Sequence, residues 1–129
     1  MFAPMGSSFN FQDCTVAPYA PPVGLVYLYL RTDAQPSETS FSLMDIYTGD
    51  MLWEVYDGKP NQAPLLALTD YRFEIAVDGR SCFLFTMEDS GGDGLTALNG
   101  VFELYFNGEL VLVGQNFGSE TSIVVGDAC

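Results

Sequence analysis

Short runs of aromatic and β-branched residues recur along the chain, and clusters of turn-forming residues separate them. Within most runs apolar and polar side chains alternate, which is the period of a β-strand, and no helical period extends beyond one turn. The predicted strands are residues 23–32, 39–47, 52–56, 71–77, 82–87, 101–106, 109–113 and 122–125. This pattern predicts an all-β domain, an antiparallel β-sandwich or jelly roll of about eight strands.

Two of these predicted strand regions carry further information. Residues 23–32 have apolar side chains on both faces, which is typical of a central strand covered on both sides. Asn107-Gly108 separates two strand patterns, and this dipeptide favours a two-residue hairpin because both turn positions need positive φ. We therefore expect a tight antiparallel pair on either side of Asn107-Gly108.

The first 22 residues differ from the remainder. They contain four prolines and four aromatic residues, and they are predicted to form an extended N-terminal arm before a single domain at residues 23–129. The aromatic residues favour an arm that lies along an apolar surface of this domain or of a neighbouring subunit, so other protein subunits are the expected partners. An ordinary terminus without a binding role is the alternative.

The charge and composition exclude several functions. Four Lys and Arg against 17 Asp and Glu give a formal charge of -13, which disfavours nucleic acid and anionic membrane surfaces as partners. No stretch has the length and apolar character of a membrane-spanning helix, and residues 1–20 lack the pattern of a secretory signal. The absence of His removes the commonest general base and most zinc sites, so we expect no enzyme.

Three cysteines allow at most one disulfide within the chain. Cys14 and Cys129 bracket the globular part, and we expect them to be bonded, since the long loop that they would close stabilises by about 4 to 5 kcal/mol. Cys82 lies in an apolar strand pattern and is predicted to be a buried free thiol.

The loop at residues 88–100, EDSGGDGLTALNG, is the strongest candidate for a site. Carboxylate, amide and carbonyl oxygens on a flexible glycine-rich backbone are what calcium prefers, so the hypothesis is a calcium site formed by Asp89, Asp93, Glu88 and Asn99. The spacing does not fit an EF-hand loop. A purely structural loop, held by hydrogen bonds from Asp side chains to the backbone, is the other interpretation.

Three segments in order resemble a β-sandwich module that is repeated in secreted and surface proteins of diatoms and related algae, and shorter similar modules occur in secreted bacterial proteins. The segments are TDAQPSETSFSLMD at 32–45, CFLFTMEDSGGDG at 82–94 and NGVFELYFNGELVLVGQNFGSE at 99–120. The positions that match the motif are Asp89, Ser90, Gly92, Asp93, Gly94, Asn107, Gly108, Phe117, Gly118, Ser119 and Glu120. Members of this family often carry additional cysteines near the loop, which this chain lacks.

The resemblance implies a non-catalytic module located outside the cell, on its surface or in an organelle lumen. We accordingly expect a structural or interaction subunit of such an assembly, with weak calcium binding. A carbohydrate-binding module is the alternative, with Trp53 or Tyr56 as an aromatic platform and a glycan as the ligand. A carboxylate-based hydrolase using Glu88, Asp89 or Asp93 is the least favoured interpretation.

Overall fold

The computed structural model describes residues 23–95, 100–126 and 129. The predicted arm, Cys14 and Asn99 lie outside these residues. The strands are β1 (Val23–Arg31), β2 (Thr39–Asp45), β3 (Met51–Val55), β4 (Asp70–Asp78), β5 (Phe83–Asp89), β6 (Val101–Phe106), β7 (Glu109–Gly114) and β8 (Glu120–Val125). One turn of 3-10 helix, Pro36–Glu38, directly precedes β2.

The strands form two four-stranded antiparallel sheets. The first sheet has the order β4-β1-β6-β7 and the second has the order β3-β2-β5-β8. The predicted all-β antiparallel sandwich is therefore confirmed. No helix among the described residues has the length and apolar character to cross a membrane.

Alternate residues of each central strand point between the sheets, because successive side chains of a strand face opposite sides. In β1 the buried residues are Val26, Leu28 and Leu30, and in β5 they include Phe83 and Phe85. The side chains of the core are those of Val26, Leu28, Leu30, Phe41, Leu43, Val55, Val77, Phe83, Phe85, Met87, Leu95, Phe102, Leu104, Phe106 and Val125. Burial of these apolar groups is the main force that holds the two sheets together.

The outer side of β1 differs from the prediction of a strand covered on both faces. Leu25 is 38% exposed, and Tyr27 and Tyr29 are half-buried on the outward side of the first sheet. The apolar side chains on this side are mostly tyrosine, whose ring tolerates a surface position because its hydroxyl stays in water. The prediction was wrong because it counted tyrosine as a core residue.

A disulfide joins Cys82 to Cys129, with a Cα–Cα distance of 5.0 Å. Both the expected Cys14–Cys129 bond and the expected free thiol at Cys82 are therefore wrong. The reason is the pairing of β5 with β8, in which Phe83 lies opposite Val125, so the chain after β8 returns to the residue that precedes β5. A persistent disulfide indicates an oxidising, non-cytosolic compartment.

The two ends of the sandwich are built differently. The short turns β2–β3, β4–β5 and β6–β7 lie at the same end as the disulfide. The connections β1–β2, β3–β4, β5–β6 and β7–β8 all pass from one sheet to the other at the opposite end. The glycine-rich loop that follows β5 belongs to this second end, which we call the crossover end.

Candidate functional site

Three carboxylates converge at the crossover end. One oxygen each of Glu38, Asp89 and Asp93 lies within 4.8 Å of the other two. Asp89 is the last residue of β5, and Asp93 follows in the loop. Glu38 joins them because β2 pairs with β5 in the register that places Thr39 opposite Asp89, which puts the residue before Thr39 beside the loop.

Backbone hydrogen bonds hold the loop in place. Asp89 N–H donates to Ser119 C=O at 2.9 Å, and Ser90 N–H donates to Glu38 C=O at 2.9 Å. The Asp93 N–H donates to Asp89 Oδ2 at 2.8 Å. The loop is thus fastened both to the β7–β8 connection and to the 3-10 turn, and the structural role that the sequence suggested for the Asp89 side chain is satisfied by one of its two oxygens.

Two loop glycines leave room for close approach of neighbouring groups. A Cβ on Gly91 would overlap the Glu38 carboxylate, so the missing side chain is what lets that carboxylate reach the loop. Gly94 has φ +68°, and a Cβ there would overlap the carbonyl oxygen of Gln115. Gly91 lies between the two acids and Gly94 directly follows the second, so both glycines contribute to the packing of this loop.

The second oxygen of Asp89 accepts no hydrogen bond from an N–H or hydroxyl group of the described residues. Asp89 is 1% exposed, and its Oδ1 is buried without a partner among the described residues. The Oγ1 of Thr39, the residue opposite Asp89 in the β2–β5 ladder, is also buried and has no partner in the part of the chain that the structure describes. Buried polar atoms are almost always hydrogen-bonded or bound to an ion or water. The unpartnered Asp89 oxygen, which lies beside two further carboxylates, is therefore a candidate ligand atom.

Mutual repulsion makes it unfavourable for all three carboxyl groups of the cluster to be ionised at once. Loss of water contact raises the pKa of Glu38, followed by the negative charges of Asp89 and Asp93, a hydrogen bond that protonated Glu38 makes to Asp89, and the charge of Asp33. A hydrogen bond that protonated Asp93 makes to Asp89, followed by burial and the charge of Asp89, raises the pKa of Asp93. A proton or a metal cation would relieve this repulsion.

No basic side chain neutralises the cluster. Arg31 pairs with Asp70, and Arg80 pairs with Asp78. The Lys59 ammonium donates to a backbone carbonyl of β3, and the Arg72 guanidinium lies over the ring of Tyr29. These are all four of the Lys and Arg residues of the chain. A bound proton or a cation from solution would balance the charge of the cluster.

Two of the four predicted ligands need comment. Glu88 does not join the cluster, because adjacent residues of a strand face opposite sides and Asp89 points inward; the Ser40 hydroxyl donates to Glu88 on the outer face at 3.3 Å. Asn99 lies outside the described residues. Sequence analysis missed Glu38, because its proximity depends on the β2–β5 pairing, and its only local signal is a carboxylate directly before a strand.

A cleft of about 460 Å³ adjoins the cluster at this end. Its acidic lining comes from Glu38, Asp57, Glu88, Asp89 and Glu120. A cation can reach the cluster through this cleft, and the acidic lining attracts positive ions.

Of the two aromatic residues proposed for carbohydrate binding, Trp53 lies in β3 and Tyr56 directly follows that strand. Trp53 packs against Phe41 and Phe73, with ring centroids 5.0 and 5.3 Å away, and so belongs to the edge of the core. Tyr56 is 40% exposed and borders the acidic cleft. Trp53 also lines a cleft of about 410 Å³ together with Tyr71 and Phe73.

Comparisons of the chain with protein-family models, with curated protein sequences and with solved structures find no match.

Proposed function

We propose that the chain is a non-catalytic β-sandwich module of a secreted, surface or organelle-lumen assembly, and that it binds calcium through Glu38, Asp89 and Asp93. The observation that carries the metal proposal is the buried Asp89 Oδ1, which has no partner among the described residues although two further carboxylates lie within 4.8 Å. Calcium supplies the missing partner and offsets the repulsion.

The ligand chemistry favours calcium over other metals. The cluster offers only oxygen atoms, whereas zinc prefers His and Cys. Magnesium demands a strict octahedral arrangement, while calcium accepts six to eight oxygens in variable geometry. The glycine-containing loop between Asp89 and Asp93 suits calcium, since backbone carbonyls and bound water can complete the coordination.

Calcium at this position would have a structural effect. It would bridge the 3-10 turn before β2 and the loop after β5, which join different pairs of strands. Extracellular modules bind calcium with Kd values of about 0.1 to 1 mM, which is sufficient where the ion is abundant. A non-cytosolic location, in agreement with the disulfide, supplies such calcium. We also propose that the chain docks onto other subunits through residues 1–22.

The test is thermal unfolding in 10 mM calcium chloride and in EDTA, with magnesium chloride as the comparison. Kd values of about 0.1 to 1 mM give a stabilisation of about 1.4 to 2.7 kcal/mol at this concentration. For a domain of this size that free energy raises the Tm by roughly 5 to 10 °C. Magnesium should raise the Tm less.

Matched variants identify the ligands. Glu38→Gln and Asp93→Asn should each remove most of the calcium-dependent rise in Tm. Glu88→Gln removes a carboxylate charge next to Asp89 but outside the cluster, so it should retain most of the rise. An unchanged Tm of the wild type in calcium would refute the metal proposal. An equal rise in Glu38→Gln and in wild type would refute this set of ligands.

A further inference from the structure

The outer face of the first sheet presents an open aromatic cleft that the calcium proposal does not use. Tyr27 of β1 lies directly opposite Tyr105 of β6, and their ring centroids are 5.6 Å apart with planes tilted by 48°. Tyr29 follows two residues later on the same face. Together with Leu25 these rings line a cleft of about 520 Å³. This volume falls in the range of small-ligand sites.

Hydrogen-bonding groups surround the rings. Glu74 of β4 lies opposite Tyr27 on the other side from Tyr105, and it is exposed. Glu103 accepts a hydrogen bond from the Tyr105 hydroxyl at 2.7 Å. Arg72 also lines the cleft, with its guanidinium 5.1 Å from the centre of the Tyr29 ring. The cleft therefore combines flat apolar surfaces with donors and acceptors at its border.

The charges that line this cleft are nearly balanced, whereas the whole chain is strongly acidic. The cleft is lined by one basic residue, Arg72, and two acidic residues, Glu74 and Glu103, while the chain carries 17 acidic and four basic residues. A cationic partner would be drawn instead to the crossover end, whose cleft is lined by acidic residues and by none of the basic ones. A polyanion would be repelled by the chain as a whole. An uncharged ligand with hydroxyl groups fits this cleft best.

We propose that the cleft lined by Tyr27, Tyr29 and Tyr105 binds an uncharged saccharide. The apolar C–H face of a sugar ring packs on the rings of Tyr27 and Tyr105, and the sugar hydroxyls bond to Glu74, Glu103 and Arg72. This site lies on a different sheet from the calcium cluster and uses none of the residues that the carbohydrate hypothesis drew from the sequence, Trp53 and Tyr56.

The test is affinity electrophoresis through gels containing one of four uncharged polysaccharides: hydroxyethyl cellulose, laminarin, arabinoxylan or galactomannan. All gels contain EDTA, so the result is independent of the calcium site. At least one polysaccharide should retard the wild type. Tyr27→Thr and Tyr105→Thr should weaken that binding tenfold or more, since threonine suits an exposed strand position but offers no ring.

Two further variants control for folding and for position. Glu74→Ala removes an exposed carboxylate without touching the rings and should weaken binding by several-fold. Tyr56→Thr removes a tyrosine that follows β3 and borders the acidic cleft, away from the first sheet, and should leave binding unchanged. Urea unfolding of each variant separates a loss of binding from a loss of structure.

Three results would overturn the proposal. The first is that none of the four polysaccharides retards the wild type. The second is that Tyr56→Thr loses the binding while Tyr27→Thr keeps it. The third is a wild-type dimer in sedimentation velocity that Tyr27→Thr dissociates, because the face would then be an interface between two copies of the chain.

Discussion

Removal of the disulfide should cost this domain a large share of its stability. The bond joins residues 47 positions apart. In the loop-entropy relation a closed loop of this length is worth about 4 kcal/mol at 25 °C. Small domains are stable by about 5 to 15 kcal/mol in total, so loss of the bond brings the protein much closer to unfolding.

Cys129→Ala is the best variant for this measurement, because residue 129 is exposed and its replacement leaves no cavity in the core. Urea unfolding, followed by tryptophan fluorescence or circular dichroism, should show a midpoint roughly 2 M lower than in wild type for a slope of about 2 kcal/mol/M. Dithiothreitol should lower the wild-type midpoint by a similar amount and leave the Cys129→Ala midpoint unchanged.

Cys14→Ala is the matched control. It should keep the wild-type midpoint without reductant, since Cys14 is not a partner of Cys129. The reasoning would be refuted if Cys14→Ala and Cys129→Ala lost the same stability, or if Cys129→Ala unfolded within about 0.5 kcal/mol of wild type. Peptide mapping without reduction gives an independent check, since one fragment pair should contain Cys82 and Cys129.

Three further predictions concern the loop, the core and the pH dependence. Gly94→Ala should destabilise by about 2 kcal/mol or more in urea unfolding, because the new Cβ overlaps the Gln115 carbonyl at positive φ. Phe85→Ala should lose about 3 to 5 kcal/mol, since this fully buried ring packs against Phe102; a wild-type midpoint would contradict the assigned core. The pKa of Glu38 is raised above its ordinary value of 4.5, so the folded protein binds this proton more tightly than the unfolded chain does. In EDTA, the stability of the fold should therefore rise as pH falls from 7 toward 4.5. Glu38→Gln should show a smaller rise over this window, and the calcium-dependent increase in Tm should shrink as protons compete for the site.

The carboxyl groups of Asp70 and Asp78 change the stability in the opposite direction as pH falls, but they do so in a lower pH range. The hydrogen bond from Arg31 lowers the pKa of Asp70, and the backbone and side chain of Arg80 lower the pKa of Asp78. A carboxyl group with a lowered pKa contributes stability above its unfolded value, here 3.8, and loses it below. These two groups therefore do not mask the effect of Glu38 between pH 7 and 4.5.

The strands could be predicted from the sequence because their signals are local. The β6–β7 hairpin is the clearest case, since Asn107 and Gly108 have φ values of 51° and 82°, as the dipeptide requires. Alternation of side chains likewise located β4 within a residue at each end, Asp70–Asp78 against the predicted 71–77. Such patterns reflect the geometry of a single strand and its turns.

The contacts between strands could not be predicted in the same way. The sequence contains no local signal that β5 lies between β2 and β8, because this order depends on how all eight strands pack together. That order brings Glu38 to Asp89 and Cys129 to Cys82. The prediction therefore located the loop and two of its acids, Asp89 and Asp93, but missed the third carboxylate and chose the wrong disulfide.

The disulfide also determines how the domain responds to a pulling force applied between residues 23 and 129. Strand β8 is at the edge of its sheet, and a force on its last residue alone would open its hydrogen bonds one after another, starting from Val125. The Cys82–Cys129 bond transfers this force to the start of β5, which has a hydrogen-bonded neighbour on each side. The other point of attachment, Val23, begins β1, which is also flanked on both sides. With the disulfide intact, the pulling force acts on two central strands, β1 and β5. Once the disulfide is reduced, the force acts on the edge strand β8, and the domain opens from that edge.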